Sequence, residues 1–298
     1  MKFGAIDIGS NAARLLVGEV VHEGAHAFVK KISYTRIPLR LGEEVFVDGK
    51  ISKKKAEHFV KTIQAFKLIS DIFEVKELRA VATSAMRDAE NGRKIIAEVK
   101  QNAGVDIEII SGDEEAFLIF ESFFLLNFDK EKPFLVVDVG GGSTEISVFE
   151  NGEKVAAKSF QIGTLRILKG KVQKEDWTEM NKWVLKNVDA TTLHSIFGTG
   201  GNINSAHKIL GGKHMKPISI NKLQKFHDEL VKLNLEEREE QFQMKEDRAD
   251  VIVPALDIFL FIMEALNSKE IIVPKIGLSD GMIYNMDKKH RKLNKKTD

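Results

Sequence analysis

Residues 138–144 read Asp-Val-Gly-Gly-Gly-Ser-Thr, set between the apolar runs FLVV (134–137) and EISVF (145–149). Both flanks have the apolar, β-branched make-up of strands, so the glycine stretch reads as the turn of a hairpin. Glycine has no Cβ and tolerates positive φ, which lets successive backbone N–H groups converge on an anion such as phosphate. A second copy of this order stands at the N-terminus, where FGAI (3–6) leads into DIGSN (Asp7–Asn11) and then AARLLVGEV (12–20). Two acid-led, phosphate-gripping hairpins predict two similar domains with one cleft between them.

The rest of the pattern fits a duplication. Strands are expected at 3–8, 13–22 and 26–37, followed by a helix at 52–73 with Ser52 as N-cap and Ala56, Phe59, Val60, Ile63 and Phe66 at helical spacing. Strand 78–82, helix 88–102 stopped by Gly104, strand 107–110 and helix 113–127 capped by Asp113 complete the order βββαβαβα. The second half restarts with strands 134–139, 145–150 and 153–160. Helix 174–188, strand 193–198, helices 202–210, 219–233 and 247–267, strand 270–273 and a closing helix 279–290 follow. The expected class is α/β, with domains at 1–128 and 129–278, a linker near Asp129–Pro133, and a C-terminal helix (279–298) returning to the first domain. Ligands in such folds sit beyond strand ends.

Composition removes several function classes. The 298 residues carry 45 basic and 44 acidic side chains, so bulk charge points to neither nucleic acid nor membrane. Cysteine is absent, which excludes disulfides, thiolate nucleophiles and thiolate metal sites, and fits a cytoplasmic setting. MKFGAIDIG reads as a strand and not as a signal peptide, and no apolar run approaches the roughly 18 residues of a membrane span. The eight histidines show no ligand spacing, and the basic run Lys288–Lys296 reads as a solvated helix end.

A site that moves a phosphoryl group needs an in-line nucleophile, charge neutralisation on the transferred group, and a base or orienting group for the nucleophile. Glu115, in the first turn of its helix, is placed for the last role, although Glu114 and Glu115 also read as ordinary first-turn charges. Folding the glycine hairpin brings Asp138 and Glu145 together as a sparse oxygen set of the kind Mg2+ (or Mn2+) takes. In the first hairpin Asp7, Ser10 and Asn11 repeat the order and are expected phosphate contacts, but Arg14 stands where the second has Glu145. One hairpin would then carry metal carboxylates and the other a guanidinium for phosphate. Further phosphate contacts are expected from Gly140, Gly141, Gly142, Ser143 and Thr144, and from Thr83, Ser84 and Arg87 after strand 78–82. Gly200, Gly201 and Asn202 at a strand-to-helix turn and Arg248 before a long helix complete the set. The hydroxyls of Thr83 and Ser84 read equally as helix caps, and the glycines of 198–201 as a plain turn.

Seven blocks in order, DIGSNAARL (7–15), ATSAMRD (82–88), IISGDEEAFLIF (109–120), VVDVGGGSTE (136–145), FGTGGN (197–202), RADVIVPAL (248–256) and GLSDGM (277–282), resemble the Ppx/GppA family. That family comprises exopolyphosphatases and guanosine pentaphosphate phosphohydrolases. The resemblance implies duplicated actin-like (ribonuclease H-like) domains with an interdomain cleft, and hydrolysis of terminal phosphate from polyphosphate or pppGpp. It assigns the base to Glu115, the metal to Asp138 and Glu145, and a phosphate-binding arginine to Arg14, and it implies a homodimer. The chain resembles a short, two-domain form, which puts processivity in question. Asp280, Met282 and the Pro254-Ala255 step depart from the commoner family pattern. A non-catalytic (p)ppGpp or polyphosphate sensor is the alternative, and a kinase fits the fold but not the IISGDEEA block.

Overall fold

The computed structural model describes residues 1–24 and 26–294. The end of the expected C-terminal helix and of the basic run, at 295–298, lies outside the described residues. The chain divides into two compact units, one of Met1–Phe128 with the chain from Ile276 onward, and one of Asp129–Lys275.

In the first unit Phe3–Ile8 (β1), Ala12–Glu23 (β2) and His26–Pro38 (β3) form an antiparallel meander. After Leu41–Asp48 (α1) and Lys53–Ile72 (α2), Glu77–Ala82 (β4) runs parallel to β1. Ser84–Asp88 (α3) and Gly92–Ala103 (α4) then lead to Ile107–Ile109 (β5), parallel to β4, and to Gly112–Phe123 (α5). The sheet order is β3-β2-β1-β4-β5. Every residue of β1 is buried, as expected of a central strand covered on both faces, whereas β3 at the edge alternates toward solvent.

The second unit opens with the same meander, Phe134–Val139 (β6), Thr144–Glu150 (β7) and Glu153–Phe160 (β8). Thr164–Leu168 (α6) and Lys174–Asn187 (α7) precede Ser195–Thr199 (β9), which is parallel to β6. Next come Gly201–Ile209 (α8), Pro217–Ser219 (β10), Ile220–Lys232 (α9), Leu235–Phe242 (α10), Glu246–Ala249 (α11), Ile252–Ala265 (α12) and Glu270–Ile272 (β11). The order β8-β7-β6-β9-β11 repeats that of the first unit, and β10 adds an antiparallel edge. The fold is therefore the expected duplicated α/β arrangement of two mixed sheets with flanking helices. Leu278–Asn294 (α13) closes the chain within the first unit.

Several local expectations are corrected. A single helix over 247–267 is instead α11 and α12, separated at Asp250–Val251. Pro254 explains the break, because it offers no N–H to the carbonyl of residue 250 and its ring crowds that carbonyl, while in the first turn of α12 its missing donor costs nothing. The helix expected over 88–102 begins at Gly92, after α3 has ended at an extended Ala89. A Cβ on Gly92 would lie 2.4 Å from the Met86 carbonyl oxygen, so the reversal between the two helices needs glycine. Neither Thr83 nor Ser84 caps a helix through its side chain. The cap of α5 is Ser111, whose Oγ accepts the Glu114 N–H at 3.1 Å, and Asp113 lies inside the first turn. Ser52 caps α2 as expected, accepting from Lys55 N at 3.3 Å. Phe123 is buried, but its neighbour Phe124 is half-exposed and stacks on Tyr284 of α13.

The crossing of α13 on α5 is closer than side chains normally allow. A Cβ at Gly281 would sit 1.7 Å from the Leu118 carbonyl oxygen. Nearby, buried Glu121 accepts from Lys288 Nζ at 3.2 Å and from Asn285 Nδ2 at 3.5 Å. In the second unit His207 is fully buried on α8, and its Nε2 bonds the Lys213 carbonyl at 3.2 Å. Burial, with Lys275 and His214 nearby, holds its pKa below the usual imidazole range.

Two outcomes follow. Gly281→Ala forces α5 and α13 apart and lowers unfolding free energy by about 1–3 kcal/mol in urea titrations. His207 stays neutral in the folded chain while the unfolded chain takes up its proton below about pH 6.5. Its contribution is therefore present above that pH and is lost as pH falls toward the depressed folded value. Denaturation of the protein and of His207→Gln at pH 7.5 and 5.5 should show a shallower acid loss in the variant.

Candidate active site

The two glycine-bearing turns are built alike. In β1–β2 the Cα partners at the mouth of the hairpin are Asp7 and Arg14, and Gly9 N–H closes the turn on Ala12 O at 3.1 Å. In β6–β7 the partners are Asp138 and Glu145, and Gly140 N–H closes on Ser143 O at 2.9 Å. Directly paired residues share a sheet face, so each aspartate meets the side chain its register selects. Arg14 Nη1 donates to Asp7 Oδ2 at 2.8 Å, a largely buried ion pair. Asp138 and Glu145, by contrast, bring two carboxylates together, with an oxygen of each within 4.8 Å of the other.

Neutral hydroxyls orient both carboxylates of the second unit. Thr199 Oγ1 donates to Asp138 Oδ1 at 2.5 Å, and Ser159 Oγ donates to Glu145 Oε1 at 2.7 Å. Hydroxyl donors fix the carboxylate planes without cancelling their charge. Glu145 is buried, and adjacent carboxylates repel, so a cation is the natural complement of the pair. The donor set is all hard oxygen, which fits Mg2+ or Mn2+ and not a thiophilic metal.

Ser159 reaches Glu145 through a β-bulge. Counting back from the Glu150–Glu153 pair would set Lys158 opposite Glu145, but the pairing shifts at Val148/Phe149 and brings Ser159 there instead. Lys158 then points to the other face, where it binds Glu179 at 2.5 Å. The first unit has the same shift at Val17/Gly18, which sets Arg36 beside Arg14. Sequence reading missed Thr199, Ser159 and Arg36. Thr199 was signalled by its place in FGTGGN, but Ser159 and Arg36 depend on bulges that strand periodicity does not display.

Short helices hold the turns from behind. The N–H groups of Arg40 and Gly42, at the start of α1, bond the Asn11 and Ser10 carbonyls at 2.8 and 2.9 Å. In the second unit Thr164 N–H takes the Gly140 carbonyl at 3.1 Å, and Thr144 Oγ1 donates to Ile162 O at 2.6 Å. Neither α1 nor α6 was expected, since eight and five residues fall below the length at which helical periodicity is legible. Arg40 caps α1 in a left-handed conformation at φ 50°, an uncommon backbone for a non-glycine residue.

The remaining candidates divide between the units. In the first, Ser10 and Ser84 share a buried hydroxyl hydrogen bond of 2.7 Å, and Thr83 N–H bonds Ile8 O at 3.0 Å. Arg87 Nη1 holds the Ile110 carbonyl at 2.8 Å, fixing the entry to α5. Glu115 is buried in that helix's first turn. Glu114 turns outward to Arg79 at 3.2 Å, and Arg79 also binds Glu108 at 2.8 Å. The two glutamates are thus distinguished, with Glu114 in a surface ion network and Glu115 inward. In the second unit Gly200 has φ 104°, and a Cβ there would lie 2.6 Å from the Val139 carbonyl oxygen. Arg248 Nη1 donates to Asn202 Oδ1, and a Cβ on Gly201 would meet the same guanidinium at 2.9 Å. Gly200, Gly201, Asn202 and Arg248 therefore form one cluster at the N-terminus of α8, beside the end of β6.

Thr199→Val removes the donor that orients Asp138. Calorimetric titration with Mn2+ should show affinity lower by about tenfold or more, with the melting temperature close to that of the unaltered chain.

Residues 20–290 match the family model described as the Ppx/GppA phosphatase family. The chain is 28% identical to Exopolyphosphatase 1 of Mycobacterium tuberculosis, covering 100% of this chain and 90% of that protein. Among solved structures, the Aquifex aeolicus Ppx/GppA family member is 25% identical with a TM-score of 0.75, covering 97% of this chain and 98% of that one. An exopolyphosphatase from Cytophaga hutchinsonii has the same fold, with a TM-score of 0.81 at 23% identity over 96% of this chain and 97% of that one. Among the described residues no helix is long and apolar enough to cross a membrane.

Proposed function

The chain belongs to the Ppx/GppA phosphatase family, and on that premise we propose that it is a Mg2+-dependent phosphoanhydride hydrolase that removes terminal phosphate from inorganic polyphosphate or pppGpp. The observation that carries this reading is the contrast between the two hairpins, in which the Asp138–Glu145 pair is anionic and the Asp7–Arg14 pair is internally neutralised. The first of these pairs suits a divalent cation and the second suits a phosphate oxygen.

In this reading Glu115 accepts a proton from water as its oxygen attacks the terminal phosphorus. The bridging P–O bond breaks, orthophosphate departs, and the shortened chain keeps the bridging oxygen. The inward position of Glu115, against the outward ion network of Glu114, supports that assignment. Bound Mg2+, held by Asp138 and Glu145, would neutralise charge on the phosphate oxygens. The glycine-turn amides, Ser10, Asn11, Arg14, Thr83, Ser84 and Arg87, and the Gly200–Asn202 turn with Arg248 act as phosphate contacts. Asp7 acts through Arg14, fixing the guanidinium that meets the phosphate. The similarity to a protein named Exopolyphosphatase 1 favours polyphosphate as the first substrate to test. A cytoplasmic homodimer is part of the same reading.

Glu115→Gln should lower phosphate release by about 10²-fold or more while the protein stays folded and still binds tripolyphosphate. Glu114→Gln should remain within about threefold of wild type, because it removes only a surface ion pair. Release is measured in parallel from polyphosphate of defined length, pppGpp and ATP with Mg2+. Equal turnover by Glu115→Gln rejects the base, and calorimetric binding with no release from any substrate supports a sensor instead.

A further inference from the structure

We propose that Arg166 is a positioning residue that aims the Ser143 N–H at substrate phosphate. The inference rests on the reading of the 140–143 turn as phosphate-binding. In a trans peptide the C=O of one residue and the N–H of the next lie in one plane and point in opposite directions. Whatever holds the carbonyl therefore aims the following amide.

Three consecutive carbonyls of the turn are held from one side. Gly140 O accepts the Thr164 N–H at 3.1 Å, Gly141 O accepts the Leu165 N–H at 2.8 Å, and Gly142 O accepts Arg166 Nε at 2.7 Å. The amides of Gly141, Gly142 and Ser143 are thereby turned to the opposite side, as three successive donors. Among the described residues none of these amides has a backbone acceptor. This is the arrangement that makes an anion nest.

The first two carbonyls are held by main-chain amides, which nearly any residue supplies. The third depends on one side chain. Its Nε lies in a planar guanidinium and donates in a fixed direction, whereas a lysine ammonium is a rotating point charge. The approach is close because position 163 is glycine: a Cβ there would fall 2.5 Å from Gly142 C and 2.6 Å from Gly141 O. Helix α6 spends its leading amides on the turn, so it serves as a brace and not as an anion site itself. In the first unit the corresponding brace on Ser10 and Asn11 is made by the main-chain amides of Gly42 and Arg40.

The test compares Arg166→Ala and Arg166→Lys with the unaltered chain. KM and kcat are measured for polyphosphate, tripolyphosphate binding is measured by calorimetry in a Glu115→Gln background, and melting temperature is followed for each variant. Arg166→Ala should weaken tripolyphosphate binding and raise KM by about tenfold, with the melting temperature nearly unchanged. Arg166→Lys should leave most of that loss in place, because it restores charge without direction. Binding at unaltered strength in Arg166→Ala, or full recovery in Arg166→Lys, overturns the assignment. Should Arg166→Ala fail to fold, Arg166→Lys decides by the same criterion. If the unaltered chain releases no phosphate yet loses tripolyphosphate binding in Arg166→Ala, the hydrolase reading fails and the positioning role stands. If it turns over normally and Arg166→Ala binds unchanged, only the positioning role fails.

Discussion

A one-residue slip in strand pairing, made at the same place in both sheets, is the constraint on which the chemistry of this chain depends. Side chains on a strand alternate faces, so a shift of one residue exchanges everything the partner strand presents. The slips at Val17/Gly18 and Val148/Phe149 fall three residues beyond Arg14 and Glu145 respectively. They place Arg36 beside Arg14, and Ser159 rather than Lys158 beside Glu145. Without the slip, Lys158 and not Ser159 would stand opposite Glu145, putting an ammonium where the hydroxyl now lies. The bulge keeps the lysine on the outer face, bound to Glu179, and supplies a neutral hydroxyl to Glu145.

Duplication then explains how two similar turns come to carry different charge. The sheet order, the closing hydrogen bond of the turn, the helix that braces the carbonyls and the bulge all recur. The decisive difference is one residue at the mouth of the hairpin, arginine in one copy and glutamate in the other. A scaffold duplicated in this way keeps the geometry constant while charge diverges.

Much of this was legible in the sequence for local reasons. The hairpins announce themselves because strand alternation and glycine turns act over a few residues, and the contrast between Arg14 and Glu145 needs only counting from each aspartate. Pairing across the bulges was not legible, since strand registers are settled by partners far along the chain. The brace helices α1 and α6 were hidden by their shortness, and α12 looked longer than it is because Pro254 suits a first turn as well as a break. The cap of α5 shows the same limit. Ser111 and Asp113 both have capping chemistry, and only the backbone geometry selects the serine.

The divergence of charge between the hairpins is tested most directly by measuring phosphate release from polyphosphate as a function of Mg2+ for Glu145→Gln and Arg14→Gln side by side. The account predicts that Glu145→Gln raises the Mg2+ concentration for half-maximal release, while Arg14→Gln leaves that concentration in place and raises KM for polyphosphate. The same Mg2+ shift in both variants, or a shift in Arg14→Gln alone, would contradict it.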